Sequence, residues 1–473
     1  MESQKKSDLQ PFFEPRSVAV IGSLREGRGE GYRVVQNLLH FGFTGNIYPI
    51  NPSYSHVLGM RAYPTVNEMK EPIDLAMVIT PPPTVAAVIE QCARKGIKAV
   101  IVGTEGFAEA GEAGARLQQQ LVDIAHSNGM RLIGPNTIGI VNTSNGLVTN
   151  PYPVDYDRIW KGGIAYASQT GFVGAQGQPL EDGAYPISKM CDFGNKCDVD
   201  EVDLLDYLLD DSETKAIALH MEAVKGGRRF ADMLRKVAAH KPILIFKAGR
   251  TEQGARASAS HTGSLAGSVR VYDAVFKQSG AIQVGTWKEF WEIPKIFASQ
   301  PLPEGNRIAI VTPTGGVGVV ATDAAVEAGL AVAQLSDATV DRLASFHPNL
   351  CRNPVDLGPI MVLTAKPLSL LETTIAAVLD DANVDCATIV LAAGIERWAS
   401  DTIAMLDRLR QHISKPITIY IYGTKVSVSQ EVARQLQAIG LPTYFELETA
   451  VKALGVAVEY TKIKSNLDHR AEQ

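Results

Sequence analysis

Short apolar runs rich in Val, Ile and Ala recur along the chain, each closed by Gly, Pro, Asn or Thr and followed by a longer stretch with helical periodicity. That alternation predicts βαβ units and parallel sheets, because a strand covered on both faces reads as an unbroken apolar run. SVAVIGS, GNIYPINP, DLAMVITPP, AVIVGTEG and RLIGPN form a first set. GIAYASQTG, PISKMCDFGN, AIALHMEAV, PILIFKAG and AIQVG form a second, and RIAIVTPTGG, LAVAQL, ATIVLAAG, PITIYIYG and LPTYFE a third. With about five strands in each set, the pattern predicts three consecutive doubly wound α/β domains, over residues 1–150, 151–300 and 301–473. The cuts fall at 150–162 and 299–306, where Pro, Gly and polar residues cluster without apolar periodicity. The second and third sets repeat internally: IAYASQTGFVGA (164–175) and IAIVTPTGGVGV (308–319) match in strand, turn and following helix start.

Composition narrows the class. A chain of 473 residues, 45% apolar and 20% charged, has the make-up of packed globular protein. Its net charge of −6 carries no basic block, so neither a nucleic-acid stripe nor a membrane-surface anchor is expected. Five cysteines without a CxxC pair, a start lacking the apolar core of a signal peptide, and no apolar run near ~20 residues point to a reducing cytoplasm without a membrane span.

In open α/β sheets ligands bind beyond the carboxyl ends of the strands, and the unusual stretches all lie there. After the first strand, SLREGRGEG carries Ser23, Arg25, Gly27 and Arg28 into a helix. Glycines let backbone N–H groups approach a phosphate and the helix terminus adds partial positive charge, although a solvated turn has the same composition. The spacing departs from GxGxxG, which disfavours a dinucleotide. Asn51 and Pro52, Thr80 and Pro81, Thr104 and Glu105, and Asn136 in GPN close the other strands, either as ligand contacts or as plain turn chemistry. ASQTG sets Ser168, Thr170 and Gly171 at a helix start, which serves either as an anion seat or as a simple cap.

His261 stands in ASASHTGSLAGS, where small neighbours leave room for a tetrahedral anion and a second surface. Neutral imidazole is a competent nucleophile at phosphorus. Glu222, ending AIALHME, orients that ring if the strand ends converge; otherwise it is a solvated strand-end carboxylate.

Together these segments resemble the α chain of the NDP-forming acyl-CoA synthetases, the group of ADP-forming acetyl-CoA synthetase and, more distantly, succinyl-CoA synthetase. The likeness runs in order from FFEPRSVAVIGS through GYRVVQNLL, GNIYPINP, TEGFAEAG, GPNTIGIVN, SQTGFVGA, GNKCDVDEVDLLDYL and KAGRTEQGARASASHTGSLAGS to NPVDLG. It implies a Rossmann-like CoA-binding domain followed by two flavodoxin-like domains. It also implies that the glycine-rich turn, INP, TPPP, TEG and GPN contact CoA, that His261 is phosphorylated, that Glu222 pairs with it, and that SQTG holds its phosphate. Thr137 stands where the family often has cysteine, and TPTGGVG where it often has a glycine-proline pair.

No stretch resembles the ATP-grasp nucleotide domain the family needs. The resemblance therefore implies a hetero-oligomer with a separate ATP-grasp β subunit, where Mg²⁺ accompanies ADP or ATP, acting on CoA, phosphate and a small carboxylic acid. A CoA- or acyl-CoA-binding regulatory protein that has lost turnover is the alternative. The retention of His261 and Glu222 argues against it.

Overall fold

The computed structural model describes residues 7–152, 159–171, 177–178, 185–262, 268–361, 363–393, 396–411 and 414–471, with some side chains in these ranges, including those of 258–262, left aside. Three large sheets lie in two compact units divided at Val284, the first two sheets in the first unit and the third in the second.

The first sheet is wholly parallel. Its strands lie in the order Asn46–Ile50, Ser17–Gly22, Leu75–Ile79, Ala99–Val102 and Arg131–Ile133. The order reverses between Ser17–Gly22 and Leu75–Ile79, which places a crevice at their carboxyl ends. Both strands are buried along their whole length, as two-sided cover by helices requires. Helix Pro82–Lys95 shows how local chemistry sets the ends: proline fills the first turn, where an N–H has no partner, and Gly96 takes the left-handed cap at φ 83°.

The second sheet runs Ile282–Gln283, Ile243–Lys247, Ala216–Met221, Ile159–Ser168, Tyr185–Asp192, Ile140–Asn142 and Leu147–Val148. Five of these strands are the ones the apolar runs predict. The other two form an antiparallel hairpin, and Ile140–Asn142 pairs antiparallel with Tyr185–Asp192. Their residues precede 150, so chain numbered with the first domain completes the edge of the second sheet. Arg131, on the last strand of the first sheet, reinforces the junction with ion pairs of 3.0 Å to both Asp198 and Asp203.

The third sheet orders Ala331–Val332, Arg307–Thr312, Cys386–Ala392, Ile417–Tyr422 and Thr443–Tyr444, all parallel. A sixth strand, Val355–Asp356, also pairs with Arg307–Thr312. It is only two residues long and left no periodic signal in the sequence. The repeated stretches at Ile164 and Ile308 occupy the same place in their sheets, each the strand at which the order reverses. No helix among the described residues is long and apolar enough to cross a membrane.

Candidate active site

At the carboxyl rim of the first sheet the glycine-rich turn folds tightly on itself. The Ser23 carbonyl accepts the Tyr32 amide at 3.1 Å, and the Arg25 carbonyl accepts those of Arg28 and Gly29 at 3.2 and 2.7 Å. A Cβ on Gly29 would lie 2.4 Å from the Ser23 oxygen, so a side chain there would open the turn. Gly27 takes φ 67° at the tip, and the side chains of Ser23, Arg25 and Arg28 are exposed around it. Two exposed guanidinium groups beside a helix start make an edge suited to phosphate.

The neighbouring loops are laced together by the residues the motifs single out. The Asn51 side-chain amide donates to the Gly22 carbonyl at 2.7 Å, and its oxygen accepts from Ser53 at 2.8 Å. The Thr104 hydroxyl donates to the Thr80 carbonyl at 2.7 Å, and the Asn136 amide donates to the Thr104 carbonyl at 2.9 Å. Pro81 caps helix Pro82–Lys95, while Pro52 and Glu105 are exposed. The side chains of Asn51 and Thr104 thus hold the rim in shape. The Thr80 hydroxyl is buried without a hydrogen-bond partner among the described residues.

Thr170 and Gly171 of the second sheet face this rim across a cavity of about 370 Å³, whose lining also includes Glu105, Asn136, Thr137 and Asp192. A larger cleft, about 830 Å³, opens at the opposite, amino end of the first sheet beside Arg16, Lys98 and Arg131, and holds none of the motif residues. Ser168 shapes the turn at the cavity: its hydroxyl accepts the Thr170 amide at 2.9 Å and lies 2.9 Å from the His220 ring. The helix expected from Phe172 falls outside the described residues.

Glu222 sits directly behind that turn. The Gln169 side-chain oxygen accepts the Glu222 and Ala223 amides at 2.6 and 3.0 Å, so the seat and the glutamate are fixed to each other. Lys247, 2% exposed at the end of its strand, donates to the Glu222 carbonyl at 2.7 Å and lies 4.7 Å from the centre of the Tyr272 ring. Burial pulls the Lys247 ammonium below its ordinary range, and the charge of Glu222 offsets part of that shift. Lys196 adds a second buried ammonium, bonded to the Ala223 carbonyl at 2.7 Å and to Glu201 at 2.9 Å. Gln169, Lys196 and Lys247 were not singled out from the sequence. A lysine closing an apolar strand was the available signal for Lys247, whereas Gln169 acquires its role only through the register of two strands.

His261 falls on the helix Glu252–Thr262, and its side chain lies outside the described residues. The stretch expected as a loop of small residues is therefore helical up to Thr262. Alanines at 255, 257 and 259 favour the helix, and the Thr251 hydroxyl starts it by accepting the Gly254 amide at 3.0 Å.

Comparison with known proteins agrees with this layout. Residues 16–143 match the model of a CoA binding domain and residues 161–297 that of the succinyl-CoA ligase like flavodoxin domain. The chain is 38% identical to the acetate–CoA ligase [ADP-forming] II subunit alpha of Pyrococcus furiosus, over 96% of this chain and 98% of that one. It is 37% identical to the acetate–CoA ligase [ADP-forming] II of Archaeoglobus fulgidus, over 96% of this chain and 67% of that one. Among solved structures, the acetyl-coenzyme A synthetase 1 of Ca. Korarchaeum cryptofilum, in complex with phosphate and ADP, superposes with a TM-score of 0.87 at 31% identity, covering 98% of both chains. With the Pyrococcus subunit alpha and the Korarchaeum chain each matched over 98% of their length, the chain belongs to the family of ADP-forming acetyl-CoA synthetases and corresponds to their α subunit.

Proposed function

We propose that this α subunit interconverts acyl-CoA, phosphate and a nucleoside diphosphate with a small carboxylic acid, CoA and the triphosphate, by way of an acyl phosphate and a phosphohistidine at His261. The observation that carries the reading is the Gln169 tie, which fixes Glu222 to the turn holding Thr170 and Gly171, across a cavity from the strand ends of the CoA binding domain. CoA lies along the rim with its phosphates toward Arg25 and Arg28, and its thioester enters the cavity. Phosphate at the Thr170–Gly171 turn attacks the carbonyl and releases CoA. His261 then takes the phosphoryl group, the acid leaves, and the Glu222 carboxylate holds the other ring nitrogen and stabilises the cationic ring. Catalysis rests on positioning and on charge placed for the transferring phosphoryl group.

Relatives named as α subunits support a second subunit for this chain as well. An ATP-grasp β subunit, with Mg²⁺ at its nucleotide, is the partner that the chemistry of the last transfer requires. The modest cavity volume supports a small acid.

Calorimetric titration of the full chain with CoA tests the first half of the reading. Affinity should fall as salt rises, because the two arginines meet phosphates at an exposed edge. His261→Ala should bind CoA unchanged yet lose turnover with the partner. An unaltered turnover number in that variant would refute the role of His261.

A further inference from the structure

The cavity contains one group that these steps do not use. Asp192 ends the strand Tyr185–Asp192 with 1% of its surface exposed. Its Oδ2 accepts the Ile138 amide at 2.8 Å, from the turn that follows the last strand of the first sheet, and its Oδ1 accepts the Gly194 amide at 3.1 Å. Gly171 packs against it: a Cβ there would stand 3.6 Å from Oδ2. The carboxyl group thus lies between the loops proposed to carry the thioester and the turn proposed to carry phosphate.

Its surroundings are poor in compensating charge. Glu30 and Arg33 face the cavity from the helix Glu30–His40, Glu105 from the loop after Ala99–Val102, and Tyr152 from the segment that follows the hairpin. Cys191 is its neighbour along the strand. No ion pair to Asp192 occurs among the described residues. Burial lifts its carboxyl to about 6, against the pull of the Ile138 and Gly194 amides. Tyr152 and Cys191 are raised as well, chiefly by burial and then by the charge of Asp192. A phosphate dianion seated beside Gly171 would meet this carboxylate at close range, and two such charges are held together most cheaply when they share a proton.

We propose that Asp192 carries the proton of the acyl-exchange step, accepting it from the bound phosphate that attacks the thioester and donating it to the departing CoA sulfur. The inference rests on the reading of the cavity as the acyl phosphate site. In the forward sense a phosphate oxygen forms a bond to the acyl carbon and the carbon–sulfur bond breaks, leaving its electron pair on sulfur. Binding of the dianion takes up one proton, which leaves dihydrogenphosphate sharing a proton with Asp192. That proton passes to Asp192 as the oxygen attacks and from there to the thiolate, so acyl-CoA and dihydrogenphosphate become the acyl phosphate monoanion and CoA with no further reactant. In the reverse sense Asp192 removes the thiol proton. A carboxyl group that titrates near neutrality suits transfer in both directions.

The test is calorimetric titration of the full chain with inorganic phosphate at pH 8, in two buffers of different ionisation enthalpy, for wild type, Asp192→Asn and Asp192→Ser. Wild type should take up a large part of a proton on binding, while both variants take up several-fold less and bind phosphate more tightly. Thiol release from acetyl-CoA in phosphate should fall about 100-fold in both variants. Asp192→Glu, which restores a carboxyl group, should recover part of it, as a purely structural role would not. Equal proton uptake in all the proteins, with phosphate still bound, would overturn the role of Asp192 and leave the site standing. A wild-type chain that binds no phosphate would overturn the site and the inference together.

Discussion

The strand-and-turn unit that ends at Gly171 recurs at Gly315, and the two copies share more than sequence. In each, a hydroxyl at the strand end accepts the amide two residues on: Ser168 from Thr170 at 2.9 Å, and Thr312 from Thr314 at 3.1 Å. In each, an aspartate accepts the amide of the glycine two residues later: Asp192 from Gly194 and Asp356 from Gly358, at 3.1 and 2.9 Å. That aspartate lies beside the turn glycine in both, 3.6 Å from a Cβ placed on Gly171 and 2.9 Å from one placed on Gly315.

The chemistry does not recur. Ile164 pairs with Ala216 as Ile308 pairs with Cys386, so the same step along the next strand puts Glu222 level with Ala392 and His220 level with Val390. One strand further, Ile217 with Ile243 corresponds to Ala387 with Ile417, which sets Lys247 level with Ile421. Pro313 stands where Gln169 reaches across to Glu222. In the proposed function the shared backbone supplies the shape of an anion seat, and side chains on two neighbouring strands decide whether it can support a reaction. The third domain keeps the shape without them.

The first way to break the comparison is to give the second domain the residue of the third. Glu222→Ala should lower phosphoryl transfer by about 10²–10⁴-fold, because it removes the group that orients the imidazole and balances its charge, with CoA affinity unchanged. A loss below about three-fold, read from turnover with the partner subunit, would make Glu222 a bystander.

A smaller effect probes Asp192 through pH. The folded-state carboxyl of Asp192, at about 6, lies above its ordinary value of 3.8. Its contribution to stability is thus fully present below the unfolded value and is lost as pH rises through the folded one. Denaturant titrations from pH 4 to 7 should show wild type losing on the order of 2–3 kcal/mol relative to Asp192→Asn. A difference that stays flat with pH would contradict the raised, buried carboxyl.

Gln169→Ala should cost less. It leaves the buried Glu222 amide and the part-buried Ala223 amide without their acceptor, worth about 1–3 kcal/mol, and should slow transfer about 10-fold by loosening the glutamate. Wild-type rates would show that the seat holds its shape without the tie. Asp356→Asn, the matching change in the third domain, should leave turnover within about two-fold of wild type. A larger loss would mean that the second copy is not a bare scaffold.

The same contrast explains what the sequence could reveal. Runs such as SVAVIG and LAMVI announce parallel strands because helices cover both faces, and the turn residues at their ends mark the rim. His261 and Glu222 stand out because a histidine among small residues and a glutamate ending an apolar strand are unusual company. Val355–Asp356 is too short for any period, and the hairpin at Ile140–Asn142 and Leu147–Val148 declares its partner only in three dimensions. The roles of Gln169, Lys247 and Asp192 depend on register between strands distant in sequence. For the same reason the sequence left open whether Asn51 and Thr104 are ligand contacts or turn residues, and did not show that their side chains bond the rim loops.

The central claim, that the phosphoryl carrier belongs to the second domain alone, can be measured on the full chain without its partner. Incubation with acetyl phosphate labelled at phosphorus should give an acid-labile, base-stable phosphoprotein whose label maps to the peptide containing His261, while His261→Ala remains unlabelled. Label that persists in that variant, or that maps to residues 301–473, would contradict the account.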